Sequence, residues 1–314
     1  MASRISGVSS EWAQSSTALD QTIYKPSMDD RLADIKTFCL DVHNGTVFGR
    51  TPVQWMFVII YYIIFYIGLF GMFAVFLVVF NWIVDLNYPT MQGVDSILKV
   101  PGLSFRPMPG TRSTVVRFVK GDASTYTQYL DHMEAYLRYY ENQNQQGENY
   151  IDCTEIRTRR TTELSKVCRF NIEMLGASCV KQQNFGFDDG QPCILLKLNR
   201  IYNWIPEEFV NASMAEDDIS EEWEQWSISV KCFGENEVDR ENMGPLTYHP
   251  PKGFPFKYYP YLNQQGYRSP LMFVRFEEPV PGIMLMITCK AYAKNIYHNR
   301  VELAGMVHFE LLVD

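Results

Sequence analysis

Between Arg50 and Asp85 the chain carries no charged residue. Elsewhere charge is ordinary, at 20% of all residues with a formal net charge of −8. The core of the uncharged stretch runs from Trp55 to Trp82 and reads WMFVIIYYIIFYIGLFGMFAVFLVVFNW. A bilayer core takes about 20 apolar residues in a helix. At a rise of about 1.5 Å per residue the two tryptophans lie roughly 40 Å apart, about the bilayer thickness with headgroups. Trp favours that boundary. The competing reading is a buried helix of a soluble protein, and so long an apolar run speaks against it. A cleavable signal peptide fits poorly, because its apolar region is about 7–15 residues and sits near the chain start.

Cysteine is scarce on one side of this stretch. Only Cys39 precedes it, while Cys153, Cys168, Cys179, Cys193, Cys232 and Cys289 follow. No CxxC pair occurs, and no His stands at zinc-ligand spacing from a cysteine pair, which speaks against a zinc module. An even set on one side implies disulfides and an oxidising compartment. The sequon Asn211-Ala212-Ser213 lies on that side too and predicts a glycan. Asn44-Gly45-Thr46 also matches the pattern but is expected to stay bare in the cytosol. Lys36 and Arg50 before the span, against Lys99 after it, give a weak positive-inside bias. The span thus reads as an uncleaved signal-anchor with the N-terminus cytosolic.

Motifs of catalysis are missing. There is no GxxxxGK[ST] phosphate loop, no HExxH and no GxSxG elbow. Single-span Golgi glycosyltransferases share this topology and often use Asp-x-Asp, which the lumenal segment lacks. Asp188-Asp189-Gly190 reads as a turn before a strand. Glu216, Asp217, Asp218, Glu221, Glu222 and Glu224 read as a solvated acidic surface rather than a cation site. The five histidines, His132 and His249 among them, show no paired spacing. The acidic balance and the lack of a basic stripe disfavour nucleic acid. No cofactor and no metal are implied.

Four segments follow. Residues 1–53 form a mixed-charge cytosolic tail, read as short and flexible and without the basic cluster that binds anionic lipid. Residues 54–83 are the transmembrane helix. Residues 84–121 read as an extended connector, because Pro89, Pro101, Pro107 and Pro109 disfavour a helix. Residues 122–314 read as an extracellular disulfide-bonded β domain. It starts with an amphipathic helix over Ser124–Asn142, with Tyr126, Tyr129, Leu130, Met133, Tyr136, Leu137 and Tyr140 on one face and Asp122 or Ser124 as N-cap. CILLKLNRIY, WSISVKCFG, PLMFVRFEEP, GIMLMITCKAYA and AGMVHFELLV then read as short strands. The expected fold is one transmembrane helix plus a mostly-β domain, an immunoglobulin-like β-sandwich with an appended helix. The Cys, Trp and Cys spacing of true immunoglobulin domains is not evident.

Four motifs carry a family resemblance. One runs from Val167-Cys168-Arg169-Phe170 through Leu175-Gly176 and Cys179 to Phe185-Gly186-Phe187-Asp188-Asp189-Gly190-Gln191-Pro192-Cys193 and on to Arg200. The others are Gly49-Arg50-Thr51 with Trp55, Tyr62 to Tyr66 with Gly71, and Tyr258-Tyr259-Pro260-Tyr261 with Tyr267 and Pro270-Leu271. Together they resemble the beta subunits of P-type ATPases, most closely the sodium/potassium type. The chain departs from the family at Leu175-Gly176-Ala177-Ser178-Cys179, which is one residue longer, and at Phe48.

The resemblance implies a non-catalytic subunit of the plasma membrane. Its partners would be a catalytic subunit that it escorts and whose potassium affinity it adjusts, an additional small single-span subunit, and membrane lipid. The Asp-Lys-Thr-Gly-Thr phosphorylation motif of such catalytic subunits is absent here. A proton/potassium pump, or a type II adhesion or receptor ectodomain, is the alternative. Six cysteines permit 15 pairings. The resemblance and short loops favour Cys153–Cys168, Cys179–Cys193 and Cys232–Cys289, with Cys39 free. It also points to Tyr62, Phe65, Tyr66, Gly68 and Gly71 in the span, and to Tyr258, Tyr259 and Tyr261 outside it, as partner contacts.

Overall fold

A computed structural model of the chain describes residues 27–108, 113–159, 164–209, 219, 224–251 and 253–314. Asn211 and most of the acidic stretch from Glu216 lie outside the described residues. The chain divides into two units, Met1–Val84 and Asp85–Asp314.

The first unit holds a helix α1 (Met28–Cys39), a two-residue hairpin of β1 (Leu40–Asp41) and β2 (Thr46–Val47), and a 32-residue helix α2 (Pro52–Ile83). Asp41 turns the hairpin by accepting from the backbone N–H groups of His43 and Asn44. α2 starts where Thr51 and Gln54 cap each other's backbone and Pro52 takes the first helical position. The Trp55 indole donates to the Val47 carbonyl (2.7 Å), which ties the first turn of the long helix to the hairpin. At about 1.5 Å per residue α2 is roughly 48 Å long, enough to span a bilayer. The tail is therefore not all flexible: residues 28–50 carry a helix and a hairpin.

The second unit is β-rich. In chain order it contains β3 (Leu103–Arg106), β4 (Val115–Phe118), α3 (Ala123–Leu137), β5 (Tyr150–Ile151), β6 (Val167–Cys168), β7 (Cys193–Leu198), β8 (Ser227–Gly234), α4 (Glu237–Asn242), β9 (Leu246–His249), β10 (Phe254–Pro255), β11 (Leu271–Phe276), β12 (Leu285–Tyr292) and β13 (Met306–Val313). Five strands form one sheet in the order β10-β8-β12-β13-β4, and four form a second in the order β3-β7-β11-β9. Pairing is antiparallel throughout the two, except that β13 runs parallel to β4.

The two sheets share one core. Phe309 of β13 stacks on Phe105 of β3 (5.0 Å) and meets Phe276 of β11 edge-on (6.3 Å). α3 is capped by Asp122, which accepts from the Ser124 N–H (3.0 Å), and it buries Tyr126, Tyr129 and Met133. Phe187 joins this helix to the sheet, lying 4.7 Å from Phe118 and 5.7 Å from Tyr126.

Two expectations change here. The connector is part of the domain, since β3 and β4 are edge strands of the two sheets. Their prolines flank the strands rather than interrupt them, as edge strands allow. The disulfide Cys232–Cys289 joins neighbours in one sheet, where Cys289 of β12 faces Cys232 of β8 in register. The hallmark disulfide of antibody domains crosses between sheets instead.

Candidate partner interfaces

The span presents a ladder of rings. Tyr62 stacks on Tyr66 (6.1 Å) and Tyr61 on Phe65 (6.3 Å), and edge contacts of 5.5 Å join the two pairs. Residues four apart share a helix face, so the ladder is local and needs no neighbour to form. An apolar groove runs along one side of it, lined by Trp55, Ile59, Tyr62, Tyr66 and Phe70. Gly68, three residues past Phe65 and seven past Tyr61, borders the Tyr61–Phe65 side of the ladder, while Gly71 lies elsewhere on the helix. Gly71 is nine residues past Tyr62, which at roughly 100° per residue is half a turn around. A Cβ added to either glycine would meet nothing within 4 Å. Among the described residues nothing packs against either glycine, and their small size leaves room for close approach by another helix. Reading Tyr62 and Tyr66 alone misses Trp55, Ile59 and Phe70, which the same periodicity would have found.

The second unit separates Tyr258, Tyr259 and Tyr261. Tyr258 and Tyr259 are buried, at 2% and 7% exposure, so they are core residues and not surface contacts. The Tyr258 ring packs on Phe170 (5.6 Å) and its hydroxyl donates to the Arg169 carbonyl (3.4 Å). Tyr259 packs edge-on against Trp204 (5.6 Å). Burial pushes both hydroxyls well above the ordinary phenol range. Tyr258 ends a single 3-10 turn, Phe256–Tyr258, and Tyr259 follows it. Outside a strand the in-out alternation lapses, and both neighbours can turn inward.

Tyr261 is only half-buried. It packs on Tyr267 (4.9 Å), and the Arg200 guanidinium lies over both rings at 5.4 and 5.3 Å. Its hydroxyl donates to Asn263 Oδ1 (3.0 Å), and Asn263 Nδ2 donates to the carbonyl of Asn87 (3.0 Å), four residues past the end of α2 in sequence. This cluster thus fastens the start of the second unit to its late loops. Beside Asn87 in the chain, Leu86, Met91, Ile97 and Leu98 are all exposed apolar residues that the connector reading passed over.

Three disulfides hold the second unit: Cys153–Cys168, Cys179–Cys193 and Cys232–Cys289. Cys39 is a free thiol. The segment leading to Cys193 is bent by Asn184, Phe185 and Gly186, all at positive φ. A side chain at Gly186 would collide with the backbone of Gln191. Asp188 accepts from the Tyr126 hydroxyl and from Asn184 Nδ2 (2.7 Å), which fixes the turn before β7 onto α3. Burial, then this carboxylate, pushes the Tyr126 hydroxyl up to about 12.

The model of the sodium/potassium ATPase beta chain family matches residues 25–309. The chain belongs to that family. Among curated relatives, the sodium/potassium-transporting ATPase subunit beta-2 of Drosophila melanogaster is 32% identical over 310 residues, covering 92% of this chain and 95% of that protein. The subunit beta-1 of the same organism is 34% identical over 294 residues, covering 89% and 93%. The potassium-transporting ATPase subunit beta of Rattus norvegicus is 27% identical over 309 residues, covering 92% and 97%. Family membership and α2, the one helix among the described residues long and apolar enough to cross a membrane, fit a single-pass membrane protein.

Proposed function

We propose that this chain is the non-catalytic accessory subunit of a sodium/potassium-transporting P-type ATPase. It assists assembly and membrane delivery of the catalytic subunit and adjusts its potassium affinity. The observation that carries the reading is the match of the family over residues 25–309. The span adds support. Its Tyr62, Phe65 and Tyr66 rings and its Gly68 and Gly71 gaps are features with no counterpart among the described residues. The ring face is assigned to a helix of the catalytic subunit. The Gly71 side, half a turn from Tyr62, is the place for lipid or a small single-span subunit.

In this reading the N-terminus is cytosolic, residues 85–314 are outside the plasma membrane, and Asn211 is glycosylated. The β-rich unit is an immunoglobulin-like sandwich, supported by its two packed sheets, with the in-sheet disulfide as its departure. Tyr261 and the exposed Leu86, Met91, Ile97 and Leu98 are the extracellular contacts, in place of the buried Tyr258 and Tyr259.

The test is purification in mild detergent followed by an ion-dependent ATPase assay. A stoichiometric partner with sodium- and potassium-stimulated activity is the expected result. Activity that needs potassium but not sodium would place the chain with a proton/potassium pump. Recovery without any ATPase partner would favour an adhesion role.

A further inference from the structure

α1 has an apolar face that no described residue covers. At roughly 100° per residue, Met28, Leu32, Ile35 and Cys39 fall within a wedge of about 60°. Arg31 lies just beyond one edge of that wedge and Lys36 just beyond the other, while Ala33, Asp34 and Thr37 occupy the far side. Met28, Leu32 and Ile35 are 76%, 61% and 58% exposed. The Thr37 hydroxyl donates back to the Ala33 and Asp34 carbonyls (2.9 and 3.0 Å). An apolar stripe flanked by basic side chains, with acidic and hydroxyl groups opposite, is the pattern of a helix lying in a membrane surface. The flanking Lys and Arg stems can run along the apolar boundary while their charges reach water.

What covers this face follows from where α1 is tied. Its last residue accepts through the Cys39 carbonyl from the Phe48 N–H (3.2 Å), and the Phe38 ring meets the Phe48 ring (6.3 Å). The next residue, Val47, holds the Trp55 indole in the first turn of α2. A chain of direct contacts therefore pins the C-terminal end of α1 to the end of the span. Leu40 and Val42, also exposed, extend the apolar surface across the hairpin. The surface within reach of a helix so tethered is the bilayer that α2 enters.

We infer that α1 lies in the membrane surface on the N-terminal side of the span, with Met28, Leu32, Ile35 and Cys39 turned into lipid. This rests on the span alone and is independent of which pump the chain serves.

Cys39 is the free thiol, so it accepts a nitroxide label without disturbing the disulfides. The full chain, alone and with its catalytic subunit, is placed in phosphatidylcholine vesicles. Collisions of the label with oxygen, which enters lipid, are compared with collisions with a water-soluble nickel chelate. The expected result is that the Cys39 label meets oxygen several-fold more readily than the chelate in both preparations. A label at Asp34→Cys, in a Cys39→Ser background, shows the reverse. Leu32→Glu with Ile35→Glu should expose the Cys39 label to the chelate. Equal access of both labels to water would overturn the assignment. So would protection of Cys39 only when the catalytic subunit is present, because a protein surface would then be the cover.

Discussion

Not one residue of α2 is buried within the chain, whereas β7 shields five of its six. α2 gets its order from its own backbone hydrogen bonds, the Thr51–Gln54 cap and the Trp55 anchor. Its side chains are specified by what lies outside the molecule. The second unit is the opposite case. Its large side chains, Phe187, Phe273, Phe276 and Phe309 among them, are fully enclosed and specified by one another. The difference sorts the effects of substitution. Changes in the enclosed unit should cost folding, and changes along the span should alter association while the chain stays folded.

The sharpest way to break that division is to weaken the enclosed unit and watch the span. Cys232–Cys289 closes 57 residues, against 15 and 14 for the other two disulfides. In the chain-entropy model a loop of that size stabilises by about 4 kcal/mol, and a 15-residue loop by about 3. Replacing Cys232 and Cys289 together by Ser should therefore be the most damaging of the three paired replacements. Limited proteolysis of the full chain would show it as rapid cutting after residue 85 with the span intact. If the double replacement leaves the second unit as resistant as before, the sheet core alone supports it.

A smaller loss is expected from Gly186→Ala. The positive φ costs roughly 1–2 kcal/mol for any residue with a Cβ, and the collision with the Gln191 backbone adds to it. A total of about 3 kcal/mol is expected, in the range of strained-backbone substitutions, read as an earlier unfolding midpoint. Alkaline pH tests the same enclosure without a mutation. Burial raises the folded-state values of Tyr126, Tyr258, Tyr259 and Tyr267, with Tyr126 at about 12. A raised phenol contributes stability that is complete below its ordinary value near 10 and is lost as pH rises through the folded value. The second unit should therefore weaken above about pH 10. Its phenolate absorbance should lag behind that of the denatured chain and then rise with unfolding. A phenolate signal that rises early, with the fold intact, would contradict the burial.

Most of the second unit was legible because its long strands are runs of β-branched, aliphatic and aromatic residues between Gly, Pro and Asn clusters, alternating in β13 and nearly all buried in β7 and β11. The five strand segments named from pattern correspond to β7, β8, β11, β12 and β13. β3 and β4 escaped notice because each has four residues with prolines nearby, and short edge strands carry little periodic signal. α1 escaped because its charges of both signs cancel in any average. Only their placement around the helix reveals the apolar stripe. Tyr258 and Tyr259 were misread for a different reason. A run of tyrosines looks like a contact surface, and nothing in composition says that a 3-10 turn will carry two successive rings into the core. The apolar span was unmistakable, but what its faces touch is chemistry of another chain.

The smallest expected effect is the most telling for function. Tyr62 and Tyr66 stack on each other but bury nothing. Removing their hydroxyls should leave the helix and the second unit unchanged. Against a partner helix, each hydroxyl hydrogen bond within a bilayer is worth about 1 kcal/mol. That is too little to decide assembly by itself. It is enough to shift an equilibrium between two pump states by roughly five-fold, and hence the apparent affinity for an ion that binds one state better. Tyr62→Phe and Tyr66→Phe, singly and together, should therefore assemble normally with the catalytic subunit while potassium activation of its ATPase shifts by up to about five-fold for each and up to about thirty-fold for both. Leu at both positions should remove the ring contacts as well and enlarge the shift. If assembly, potassium affinity and turnover all stay the same in the double Leu variant, this face of α2 meets lipid. The Gly71 side, half a turn from Tyr62, would then be the one to test against the catalytic subunit.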